Sequence, residues 1–102
     1  MSARTLATKI EATTKKRVHE RDNECCIFCG KPVVWIHACA HIVPRSAGGL
    51  GVEQNIITCC LTCHQLLDQT GHRKKMLQTA ARHMKAHYGE TWNPQDYIYK
   101  KG

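Results

Sequence analysis

The sequence predicts an α+β fold, with two short strands between two cysteine turns and a helix at either end. Three observations predict it. Residues 4–22 and 73–88 carry apolar side chains at helical spacing. Two β-branched stretches, 33–43 and 55–58, lie between them. The pattern Cys-x2-Cys occurs twice, at Cys26/Cys29 and at Cys60/Cys63.

Each element follows from its residues. In the first helix Leu6, Ala7, Ile10 and Val18 fall roughly on one face, with Lys9, Lys15, Lys16, Arg17 and Arg21 largely elsewhere. Thr13 and Thr14 interrupt the stripe, and Asp22-Asn23 ends the helix. Residues 24–32 form a compact cysteine turn. The strand 33–43 stops at Pro44, and the loop 46–51 holds three glycines. Asn55 to Thr58 is a second strand or its approach. The turn Cys60–Cys63 leads into a short helix from about His64 to Gln69, with Gly71 as the break. In the last helix Met76, Ala80, Met84 and Tyr88 recur every four residues, beside Leu77 and Ala81, and Gly89 suits the cap. The tail beyond Thr91 holds Trp92, Pro94, Tyr97, Ile98 and Tyr99, and is expected to fold back on the rest. With no linker, residues 1–102 read as a single domain with its core at about 24–70.

Composition narrows the function classes. A chain of 102 residues with six aromatic side chains has a thin apolar core and needs another source of stability. The formal charge of +7 points to a polyanionic partner. No run of about 18 apolar residues occurs, which excludes a transmembrane helix and leaves no membrane partner expected. The first residues lack the apolar core of a signal peptide, so a reducing, cytoplasmic setting is expected. There the seven cysteines act as ligands sooner than as disulfides.

Two residues between cysteines let both sulfurs of a turn reach one ion. Two such turns supply four thiolates, a closed tetrahedral shell suited to structural zinc. Cys26, Cys29, Cys60 and Cys63 are therefore the predicted zinc ligands, and the site takes the charge to about +5. The 30 residues between Cys29 and Cys60 exceed the common spacing of roughly 15–20. An inserted β-hairpin explains the surplus. Cys25, Cys39 and Cys59 are expected to be buried as small apolar residues.

The stretch Ala40-His41-Ile42-Val43-Pro44-Arg45-Ser46, its Gly48-Gly49, then Asn55-Ile56-Ile57-Thr58 and Cys60-x2-Cys63-His64 resembles the HNH endonuclease motif. The form is the four-cysteine, zinc-ribbon one common in phage and bacterial proteins. The resemblance runs from Cys26 to Asp68 and leaves the outer helices unmatched. It implies a ββα-metal core, with His41 as general base and Asn55 fixing the hairpin and orienting His41. It implies that His64 binds a divalent ion, magnesium or manganese, separate from the structural zinc. That chemistry suits the residues. Phosphodiester hydrolysis needs a base for water and a cation for developing charge, and a histidine titrates near neutrality. Activity is then expected to rise through roughly pH 6–7 as His41 deprotonates.

One position departs from the family pattern. The residue before the base is usually Asp or His, as a further metal ligand, and here it is Ala40. Water, His37 or Asp68 could fill the gap. Asp68 stands one turn after His64 and could ligate the ion or accept the other His64 N–H.

Arg45 follows the base by four residues and matches the family's basic residue there, suited to holding a phosphate. Lys15, Lys16, Arg17 and Arg21 on the first helix, and Arg73, Lys74 and Lys75 at the start of the last, could grip backbone phosphates or simply be solvated faces. Of these, Arg45, Lys16, Arg17, Arg73 and Lys74 are the predicted DNA contacts. No base-reading helix is evident. The reading is thus an endonuclease that nicks double-stranded DNA with low sequence specificity, as a monomer or weak dimer. The alternatives are a weakly active or inactive DNA-binding module and a zinc-stapled protein-interaction domain.

Overall fold

The computed structural model describes residues 2–35 and 39–101. The chain is α+β. Its helices are α1 (Ala3–Thr8), α2 (Ala12–Arg21), α3 (Leu61–Leu67) and α4 (Thr70–Tyr88), and its strands are β1 (Cys39–His41) and β2 (Ile56–Thr58). Short 3-10 turns cover Arg45–Ala47, Glu53–Asn55 and Pro94–Tyr97.

The predicted helix 4–22 is two helices. Ser2 caps α1 by accepting the Thr5 N–H. The chain then turns extended at Lys9, and α2 starts after Glu11. The cause is a close backbone approach. The Gly51 N–H bonds the Ala7 carbonyl at 3.0 Å. A Cβ at Gly51 would lie 1.9 Å from the Lys9 oxygen, so only glycine fits there. A continuous helix would keep the Thr8 carbonyl for itself; the break releases it. At the far end α2 stops at Asp22, as its sequence predicts, and Asn23 and Glu24 follow in the left-handed region.

The strands pair antiparallel, Cys39 with Thr58, Ala40 with Ile57 and His41 with Ile56. The strand predicted over 33–43 is far shorter. Val33 bonds back to the Glu24 carbonyl, and Pro32 bridges Cys25, so these residues belong to the cysteine turn. Ile36, His37 and Ala38 lie outside the described residues. β2 offers only three positions before Cys59, which limits the ladder at its other side. α3 begins at Leu61, earlier than predicted, because the Cys60 sulfur accepts the Cys63 N–H and caps it. The break between the last two helices falls at Asp68–Gln69, and Gly71 lies within the first turn of α4. Gly89 closes α4 with a φ of 100°.

Ile56 and Ile57 of β2 are fully buried. Ile57 shares a core with Ala40, Ile42, Leu67, Ala80, Met84, Trp92 and the buried Cys26, Cys59, Cys60 and Cys63. Trp92 stacks on Tyr97 with centroids 6.2 Å apart and donates to the Gln54 carbonyl. The tail then pairs with the glycine loop, through Leu50 N–H to Tyr97 O and Tyr99 N–H to Gly48 O.

A buried carboxylate ties α2, β2 and α4 together. Asp22 Oδ1 accepts from Arg21 Nε (2.7 Å) and His83 Nε2 (2.6 Å); Oδ2 accepts from Arg21 Nη2 and the Thr58 N–H, each at 2.9 Å. Burial alone would raise this carboxyl's pKa. The His83 and Arg21 hydrogen bonds, the Arg21 charge and the Thr58 N–H outweigh it and hold the group well below the usual carboxylate range. Arg21 reaches on to the Glu53 and Ile56 carbonyls and the Tyr88 hydroxyl.

Candidate active site and metal centre

The two cysteine turns meet. The Ile27 N–H bonds the Thr58 carbonyl and sets the first turn against β2, while the second turn caps α3. Cys26, Cys29, Cys60 and Cys63 place their sulfurs within 4.8 Å of one another, and Cys29 Sγ lies 3.7 Å from Cys60 Sγ. A tetrahedral zinc with bonds of about 2.3 Å has an S–S edge of about 3.8 Å, so the donor set fits the ion. Burial pushes the Cys26 thiol up, but N–H groups of Cys60, Cys29 and Phe28 bring it down to about 7. Cys59 is buried as predicted, and burial pushes its thiol far up, as befits a neutral neighbour of the site. Cys25 and Cys39 are only half-buried, a correction to the sequence reading, because neither enters the apolar core.

Beside this centre opens a cleft of about 160 Å³. Its walls include Ala40 and His41 from β1, Arg45 from the loop, His64 from α3, Asp68 and Arg73. His41, half-buried, places Nε2 2.9 Å from the Thr8 carbonyl, the one released at the end of α1. Burial, with the Arg45 and His64 charges, pushes His41 below its ordinary 6.5, against the pull of that carbonyl. His64 lines the same cleft, with Nδ1 3.5 Å from Asp68 Oδ2.

Residues 26–69 match the family model described as HNH endonuclease. That stretch is similar to an HNH endonuclease domain. Comparison with curated proteins and with solved structures gave no match. The match supports a nuclease or DNA-binding role. Among the described residues no helix is long and apolar enough to cross a membrane.

Within the HNH segment, Asn55 is fully buried at the base of the loop that follows His41. Its Oδ1 accepts the Val43 N–H at 2.9 Å, and its Nδ2 donates to the Val43 and Leu50 carbonyls. All three of these bonds go to backbone of the loop. Ala40 is buried and offers no donor, and His37 lies outside the described residues. Arg45 bonds α1 through Thr8 Oγ1 and the Thr5 carbonyl while still edging the cleft. Arg73 lines the cleft as well. Lys16 instead covers the Trp35 ring at 5.4 Å, Arg17 borders a separate hollow with Glu53, and Lys74 is exposed along α4. The sequence reading missed Thr8. Its contribution is a backbone oxygen, which no side-chain pattern could have signalled.

Proposed function

We propose that the chain is a divalent-metal-dependent endonuclease that nicks double-stranded DNA and reads little of its sequence. The observation that carries this is that His41 and His64 line one cleft, with His41 bonded to the Thr8 carbonyl. A carbonyl only accepts, so Nε2 of the neutral ring holds the proton and the Nδ1 lone pair is left free. His41, kept neutral by its lowered pKa, takes a proton from water at Nδ1 as the water attacks phosphorus. Asn55 holds the loop after β1 and so fixes where His41 stands. His64 and Asp68 supply one nitrogen and one oxygen donor, a partial shell that suits magnesium or manganese completed by water and phosphate oxygens. An ion held there would supply charge stabilisation for the phosphate and the departing 3′ oxygen. Ala40 offers no donor, so the ion's remaining ligands would have to come from elsewhere.

Arg45 and Arg73 at the rim hold phosphates on either side, and Lys16, Arg17 and Lys74 add long-range attraction. Contacts to backbone explain the low specificity. One cleft per chain favours a nick, and a double-strand cut needs two copies. The thiolate site suits a reducing compartment such as the cytoplasm. The test is a supercoiled-plasmid assay with magnesium or manganese. The wild-type chain should yield open circles, and His41→Ala should not. Equal nicking by both would overturn the reading. Salt-sensitive binding with no nicking by either would favour a DNA-binding module, the outcome to which Ala40 gives weight.

A further inference from the structure

α4 carries a second group of donor atoms, on residues that neither the zinc centre nor the cleft uses. His83 is half-buried and His87, one turn on, is exposed; their ring centroids are 4.6 Å apart. One donor atom from each, with one from Asp22, lies within 4.8 Å of the others. Asp22 has all it needs from protein partners, two bonds from Arg21, one from His83 and one from Thr58, and Arg21 balances its charge. It is therefore an orienting group and not a ligand. Because an ionised carboxylate only accepts, His83 turns an Nε2 proton toward it. In the neutral ring Nδ1 then keeps its lone pair. A carboxylate on the far nitrogen of a histidine fixes the ring and raises its basicity, the usual support of a metal ligand. Two imidazoles one helical turn apart share a face and can reach one ion.

We propose that His83 and His87 form a chelating site for a transition-metal dication that favours imidazole (zinc, nickel, copper or cobalt), with Asp22 as the positioning residue for His83. Magnesium and calcium, which require oxygen ligands, are not taken up there. Occupation would fasten α4 to the end of α2 through the His83–Asp22 bond.

The test is calorimetric titration of zinc-loaded protein with Ni²⁺, for wild type, His87→Ala and His64→Ala. His87 is exposed, so its variant should keep its zinc content and circular dichroism. Ni²⁺ affinity should fall roughly tenfold or more in His87→Ala and persist in His64→Ala. Unchanged affinity in His87→Ala, or loss confined to His64→Ala, overturns the site. Nitrogen NMR of the zinc-only protein should find the His83 proton on Nε2 and Nδ1 bare. A proton on Nδ1 would overturn the role given to Asp22.

Discussion

Two opposed influences act on His41. The Thr8 carbonyl favours the protonated ring, while burial and the Arg45 and His64 charges favour the neutral one and prevail. In the proposed mechanism the neutral form is the base, so nicking should rise with pH and level off below about 6.5, earlier than the sequence alone predicts. A rate that still climbs steeply above pH 7 would contradict this. His41→Ala should cost about 10²–10⁴-fold in nicking while leaving the melting temperature near wild type. Asp22 behaves in the opposite sense. Its folded pKa is depressed, so its stabilisation is present above the unfolded value of about 3.9 and fades as pH falls through the folded one. Asp22→Asn should therefore lose about 3–5 kcal/mol at pH 7, and the gap in denaturant melts should narrow in strong acid. His41, Asn55 and His64 could be picked out from their order, the first two between the cysteine pairs and the third just after the second pair. Asp22 could not, because a lone acid at a helix end carries no sign of its burial against β2.

The elements were legible in kind and less so in extent. Helical spacing located the last helix, yet Gly71 was given a break that falls at Asp68–Gln69, since a glycine in a first helical turn loses little. The long β-branched run overstated β1, because Val33 and Val34 serve the cysteine turn and not a ladder. The split of the first helix depends on Gly51, some forty residues on, and no local pattern carries that. Gly51→Ala puts a methyl group into the Lys9 carbonyl and should lift α1 from the loop. Nicking should drop at least tenfold while zinc content is unchanged, as assayed on one preparation; activity at wild-type level would show α1 to be dispensable. Asn55→Ala strips partners from Val43 and Leu50, at roughly 1–3 kcal/mol for each group left dry, and a thermal melt would register it.

For the whole molecule, the cysteine centre joins the first turn, β2 and α3 around a small core, so a zinc held there would be part of the fold. Chelation, or Cys26→Ser, should leave an unfolded or aggregated chain by circular dichroism, and a native spectrum without zinc would refute that. The two ends of the chain converge on a single loop. α1 holds it through Arg4 to Ser46, Arg45 to Thr8 and Gly51 to Ala7, and the tail pins its other side through Gly48 and Leu50. The stretch 26–69 is thus a poor candidate for excision: grafted alone into another scaffold, it would carry its histidines but forfeit the oxygen that sets the tautomer of His41. Bulky fusion partners attached at either terminus would press on the same spot, so affinity tags deserve removal before any rate is measured.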